Sequence, residues 1–251
     1  MRPSTDPVVP RIAIVTGGHA RVGAVISRTL AAQGWQIQLH ARHGIAAAEV
    51  LDRELNGVPL GVWQADFSDV EATLASFETL LATLPAEAEL ALVCNASLFE
   101  NDDRASVTLA RWRAHHAIHY DVPVLLTLAL AQRCPRGQAV VLLDQNVENL
   151  HERFLSYCLS KGAMYAALKR LALALAPFRV NAVAPGPTLP LPGADLVRFE
   201  AAAQATPLQG TSAPEDIADA VGWLMQASRV TAQTLFVDAG QHLRQWAEPA
   251  D

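Results

Sequence analysis

What the chain lacks narrows its class first. Of its 251 residues only three are cysteines, Cys94, Cys134 and Cys158. They are odd in number and lack the paired spacing of a metal knuckle, so reduced, mostly buried thiols are expected in place of disulfides or a zinc site. No apolar run is long enough to span a bilayer, and the opening Met1-Arg2-Pro3-Ser4-Thr5-Asp6-Pro7 lacks the apolar core of a secretory leader. Basic charge is also short. A net charge of −6 offers no basic face to nucleic acid or to an anionic membrane. The expectation is a soluble, cytoplasmic protein that engages neither nucleic acid nor membrane. With 51% hydrophobic and 18% charged residues, the composition is that of a globular chain, and the length suits one α/β domain.

After a short polar arm, strand-like apolar runs alternate with longer amphipathic stretches, which predicts a parallel sheet covered by helices on both faces. Strands are expected at Ile12–Thr16, Ile37–Ala41, Gly61–Gln64, Leu90–Cys94, Ala139–Leu143, Arg179–Val183 and Thr234–Val237. Helices are expected at Val22–Gln33, Gly44–Leu55, Val70–Leu84, Ala105–Gln132, Phe154–Ala176 and Pro214–Ala227. No linker or repeat divides the chain. It reads as a single domain over 1–251, with 1–9 as a flexible arm. The Pro-rich segment from Pro185 to Gly193 is the one long irregular stretch, and about 187–206 is expected to form a substrate lid.

The first strand runs into Thr16-Gly17-Gly18-His19-Ala20-Arg21-Val22-Gly23. Small residues let backbone approach a pyrophosphate closely, and the helix that follows presents free N–H groups and a partial positive charge. Taken alone, the glycines also fit a tight turn with no ligand. At the end of the second strand, Leu39-His40-Ala41-Arg42-His43 has alanine where an NAD enzyme places an acid for the ribose 2′-hydroxyl. Arg42 follows, suited to the 2′-phosphate of NADP, although by itself it could be a solvated arginine at a strand end.

Tyr157 and Lys161, four residues apart, share one helix face. A nearby ammonium favours the phenolate and so tunes a tyrosine for proton transfer. Many such pairs merely decorate a helix. Together with the glycine turn, however, the pair resembles the short-chain dehydrogenase/reductase family over essentially the whole chain. That resemblance implies a Rossmann-type, doubly wound, seven-stranded parallel sheet. It also implies cofactor contacts from Gly17, His19, Arg21, Val22, Arg42, Asp66, Phe67, Asn95, Ala96, Ser97, Tyr157, Lys161, Pro185, Gly186 and Thr188. Asp66 would meet the adenine.

Within the family, four positions resemble the pteridine reductase and dihydromonapterin reductase branch. Arg21 replaces the middle glycine of the turn, Asp144 replaces the usual serine before Tyr157, Asn95-Ala96-Ser97 replaces Asn-Ala-Gly, and Phe99 follows. The branch implies NADPH-dependent reduction of a dihydropterin or dihydrofolate-type substrate. Asp144, Tyr157 and Lys161 would be catalytic, and Arg21, Ser97, Phe99, Asp144, Tyr157 and Leu189 would meet substrate, with Phe99 stacking on the ring. Lys161 would hold the nicotinamide ribose and lower the Tyr157 pKa. Phe99 also fits ordinary core packing, and Asp144 also fits a solvent-facing strand end. Reduction of another carbonyl or imine, or cofactor binding without catalysis, are the competing readings.

His119 stands where the wider family has an asparagine that supports a water relay. His115, His116 and His119 lack further donors at ligand spacing and are read as satisfied packing residues, with no metal site. By analogy with relatives, the chain is expected to form a homotetramer.

Overall fold

The computed structural model describes residues 9–150, 152–190 and 195–243. Residues 1–8 of the expected arm and 191–194 of the expected lid lie outside these. All seven expected strands are present, with ends displaced by one or two residues. They are β1 (Arg11–Val15), β2 (Gln36–Ala41), β3 (Val62–Gln64), β4 (Glu89–Cys94), β5 (Gln138–Leu142), β6 (Arg179–Pro185) and β7 (Thr234–Val237). They form one parallel sheet in the order β3-β2-β1-β4-β5-β6-β7. Its inner strands are buried on both faces, which is why they read as continuous apolar runs.

Helices α1 (Arg21–Ala32), α2 (Ile45–Asn56), α3 (Val70–Thr83), α4 (Leu109–His116), α5 (Val122–Arg133), α6 (Leu155–Ala174), α7 (Leu196–Gln204) and α8 (Pro214–Gln226) complete the layers. Ile26, Leu30, Leu51, Ile217 and Leu224 pack on one side of the sheet with Val15, Ile37 and Val93. Phe77, Leu126, Leu130, Met164 and Leu168 pack on the other with Ile14, Leu92 and Val141.

Two expectations are corrected. The single long helix expected over Ala105–Gln132 starts later and is interrupted. Asp103 accepts the amides of Ala105 and Ser106 in a local turn, and Thr108 caps the true start by accepting from Arg111 N at 3.2 Å. Pro123 then lacks the N–H an α-helix needs, and its ring opposes the carbonyl four residues back, so the chain widens into a π turn over Ala117–Asp121. Second, α7 lies within the expected lid, where no helix was expected. The Asp195 carboxylate accepts from Val197 N at 3.0 Å, opening a run of Ala, Leu and Glu that favours helix.

Candidate active site

The sheet order reverses between β1 and β4, and the cavity opens at the carboxyl ends of the strands there, where α/β sheets bind ligands. Its volume is about 740 Å³. The front of the glycine turn is held entirely by protein. Thr16 Oγ1 accepts the amides of Asn95 (2.9 Å) and Ala96 (3.0 Å), and Asn95 Nδ2 donates to the carbonyls of Thr16 (2.9 Å) and Gly17 (3.2 Å). Gly23 fits because it lacks a side chain: a Cβ there would stand 2.2 Å from the Gly17 carbonyl and 2.6 Å from Asn95 Nδ2.

Arg21 occupies the left-handed region at φ 50°, the conformation for which glycine is usual. Its guanidinium donates to the carbonyls of Leu189 (3.3 Å) and Pro190 (3.2 Å), tying the turn to the segment after β6. Thr188 and Gly186 continue that segment, joined by a 3.0 Å bond from Thr188 Oγ1 to the Gly186 carbonyl, and Gly186 N donates to Val237 O. Pro185 closes β6.

The cavity wall brings together Gly17, His19, Arg21, Val22, Arg42, Asp66, Phe67, Asn95, Ala96, Ser97 and Phe99. Its residues fit a dinucleotide. No side chain caps the first turn of α1, leaving its leading amides for a pyrophosphate. His19 Nδ1 is buried without a partner and shares this wall with Arg42, whose guanidinium suits a further phosphate. Asp66 is held below the usual carboxylate range, chiefly by the Ser68 amide, with help from the Ser68 hydroxyl, Arg42 and His43.

Asp144, Tyr157 and Lys161 are not among the residues lining this cavity; Tyr157 meets its wall at Phe99. Tyr157 donates from its hydroxyl to Asp144 Oδ2 at 2.7 Å, and Asp144 Oδ1 accepts from Asn146 N at 2.8 Å. Burial, reinforced by the Asp144 carboxylate, raises the phenol well above its ordinary value. This corrects the expected effect of Lys161, because the nearer charge is the carboxylate and it favours the protonated phenol. The Lys161 ammonium lies 5.7 Å from the Tyr157 ring centroid and donates to Leu142 O at 2.6 Å. Burial lowers its pKa to about 8.

His119 has a complete set of bonds. Nε2 accepts from the Leu98 amide (3.2 Å) and bonds Ser97 Oγ (2.9 Å), while Nδ1 bonds Ser160 Oγ (2.9 Å), which donates to Tyr157 O (2.8 Å). Because Nε2 accepts from an amide, the ring carries its proton on Nδ1. Burial and the Lys161 charge press it far toward the neutral form, and its bonds brace the Ser97 loop against α6. His115 departs from the expectation of a satisfied residue. It is fully buried, yet neither ring nitrogen has a hydrogen-bond partner. Of the thiols, all free, only Cys94 is buried and the other two are half-buried.

Phe99 stands edge-on to Tyr157, with ring centroids 4.7 Å apart at 88°, and stacks on Phe154 at 4.5 Å and 19°. Phe154 was not anticipated from the sequence. It precedes α6 at φ 55°, a strained position for a bulky residue. Three residues from Tyr157, it offered only an aromatic at a helix start as a signal. Asp102 was missed too. Buried, it accepts from Ser156 N at 2.9 Å, and its carbonyl accepts from Leu155 N, fastening the Phe99 loop to the start of α6.

A glycine turn at the crossover of a parallel sheet, joined to a buried Tyr-Lys pair on one helix, defines a dinucleotide-dependent oxidoreductase. The chain belongs to the short-chain dehydrogenase/reductase family: a family model described as enoyl-(acyl carrier protein) reductase matches residues 18–242. Among its relatives, an uncharacterized oxidoreductase of Bacillus subtilis, YmfI, is 30% identical, covering 92% of this chain and 99% of that protein. The dihydromonapterin reductase of Citrobacter koseri is 27% identical, covering 92% and 96% respectively. Among solved structures, FolM alternative dihydrofolate reductase 1 of Brucella canis, complexed with NADP, superposes with a TM-score of 0.86 at 33% identity, over 96% of this chain and 97% of that one.

Proposed function

We propose that this protein uses NADPH to reduce a dihydropterin or dihydrofolate-type substrate. The observation that carries the reading is the 2.7 Å bond between Tyr157 and Asp144, a carboxylate where a carbonyl reductase of this family places a hydroxyl. A hydroxyl polarises a ketone by donating to it. A carboxylate can only accept, which suits the N–H-rich aminopyrimidine edge of a pterin.

NADPH supplies a hydride to a ring carbon when bound. Tyr157 delivers its proton to the adjacent ring nitrogen, and Asp144 orients that O–H and accepts from the pyrimidine edge. Lys161 would hold the nicotinamide ribose, Arg21 and Ser97 would contact the cofactor phosphate and the substrate, and Leu189 would border the substrate. Phe99, backed by Phe154, forms the wall against which the flat substrate stacks. The Brucella and Citrobacter relatives support this reading through the activities their names state.

The test is NADPH oxidation by the purified protein offered dihydropterins, dihydrofolate and a panel of ketones and imines. Turnover of the pterins or dihydrofolate is expected. Turnover confined to ketones would replace this reading with carbonyl reduction on the same scaffold.

Arg42 sets the choice of cofactor through the 2′-phosphate. Arg42→Ala is expected to weaken NADPH binding by roughly 10- to 150-fold, equivalent to about 1.5–3 kcal/mol for a lost charge-assisted bond, and to leave NADH nearly unchanged. Titrating both cofactors by quenching of protein fluorescence checks this. Equal losses would remove Arg42 from the 2′-phosphate site.

A further inference from the structure

His40 lies inside β2 and is almost fully buried, a costly place for an imidazole unless both nitrogens are bonded. Both are. Nδ1 accepts from the Gly17 amide at 3.1 Å, and Nε2 bonds the Ala65 carbonyl at 3.1 Å. An amide can only donate and a carbonyl can only accept, so the ring is the neutral Nε2–H tautomer. His40 also takes the next amide of the turn, since Gly18 N donates to its main-chain carbonyl at 3.3 Å. The ring lies flat on Phe67, with centroids 4.3 Å apart at 16°, and tilts against Trp63 at 4.8 Å.

This one side chain joins three segments that each supply part of the dinucleotide site. Gly17 opens the phosphate turn, Arg42 follows His40 by two residues, and Ala65 leads into Asp66 and Phe67 on the same cavity wall. By consuming the amides of Gly17 and Gly18, His40 fixes the front of the turn and leaves the later amides, at the start of α1, facing the cavity. We propose that His40 is a positioning residue for NADPH: its neutral ring locks the phosphate turn to the segment bearing Asp66 and Phe67, so that the pyrophosphate and adenosine ends of the site are held in register. The inference rests on NADPH being the cofactor and is independent of the substrate.

Protonation would destroy the acceptor at Nδ1 and turn the lock into a clash between two N–H groups. Desolvation opposes that charge and holds the pKa down to about 4; the Ala65 carbonyl and Asp66 act in the opposite direction, and His19 acts with the burial. The lock is therefore complete at neutral pH and is lost as pH falls toward 4.

The experiment is calorimetric titration of NADPH into wild type, His40→Phe and His40→Gln at pH 7. Phenylalanine keeps the stack on Phe67 and removes both bonds. Glutamine carries one acceptor and one donor. His40→Phe is expected to raise the NADPH Kd at least ten-fold at a stoichiometry near one site per chain, and His40→Gln to recover most of that loss. A change confined to the stoichiometry or the melting temperature, with Kd within two-fold of wild type, would reduce His40 to a packing residue and overturn the proposal. So would a glutamine variant no better than phenylalanine. If His40→Phe does not fold, wild type and His40→Gln are compared from pH 7 to 4.5. The ligand phosphates are the same in both titrations, so a steeper acid loss of affinity in wild type supports the lock and parallel curves refute it.

Discussion

Tyr157→Phe is expected to lower turnover by about 10²–10⁴-fold, the usual contribution of a positioned general acid, while NADPH still binds. The structure separates the two effects. The phenol is held protonated by burial and by Asp144, so its proton is present throughout the neutral range, and removing the oxygen leaves the ring packing against Phe99 and His119 in place. Stopped-flow hydride transfer with a dihydropterin, alongside fluorescence titration of NADPH, distinguishes loss of chemistry from loss of binding. Turnover near the wild-type rate would show that another group delivers the proton. The pH profile follows from Lys161. With its pKa near 8, its ammonium is present below that value and is lost above it, so kcat/KM is expected to decline as pH rises through about 8.

Gly23→Ala is expected to cost NADPH binding about 100-fold or more. The added carbon would stand 2.2 Å from a backbone carbonyl and 2.6 Å from Asn95, and neither is the free end of a flexible chain. The Gly17 carbonyl belongs to the turn and Asn95 is the brace that holds it. Relief therefore requires α1 to move away from the turn, and overpacking of this kind costs about 3 kcal/mol, near 100-fold in a binding constant. Gly162 is the control. A Cβ there meets nothing within 4 Å, and because it lies within α6, alanine should stabilise by about 0.5–1 kcal/mol without harming affinity. Comparing NADPH titrations and thermal melts of the two variants is decisive; an unaffected Gly23→Ala would mean that the turn does not cradle the pyrophosphate.

The sheet was the most legible part of the sequence because buried parallel strands leave continuous apolar runs. Ile12–Val15 and Leu90–Cys94 could hardly be anything else. The glycine turn, Arg42 and the Tyr157/Lys161 spacing were legible because each is a local pattern. What escaped depends on contacts between distant residues. His40 looked like one polar residue in a strand, and only the approach of Gly17 and Ala65 gives it a role. Asp102 acts across 54 residues on Ser156, and no spacing marks such a pair. The interruption of the helix at His119 was in principle readable from Pro123, but helical residues continue on both sides of it and concealed it. The direction of the Tyr157 shift was misjudged because burial of the phenol, which no local spacing reveals, raises it first and the Asp144 carboxylate raises it further.

The seam between β1 and β4 also bears on how the chain comes to exist. Thr16 and Val93, bonded across it, are 77 residues apart, so the pairing that creates the cleft closes a long loop and belongs to the slow, non-local contacts of folding. An emerging chain that ends before β4 has the glycine turn and His40 but lacks the second brace, because Asn95 has not yet been made. Cofactor that binds the joined halves more tightly than an incomplete chain draws the folding equilibrium toward the finished protein, by up to RT ln(1 + [L]/Kd).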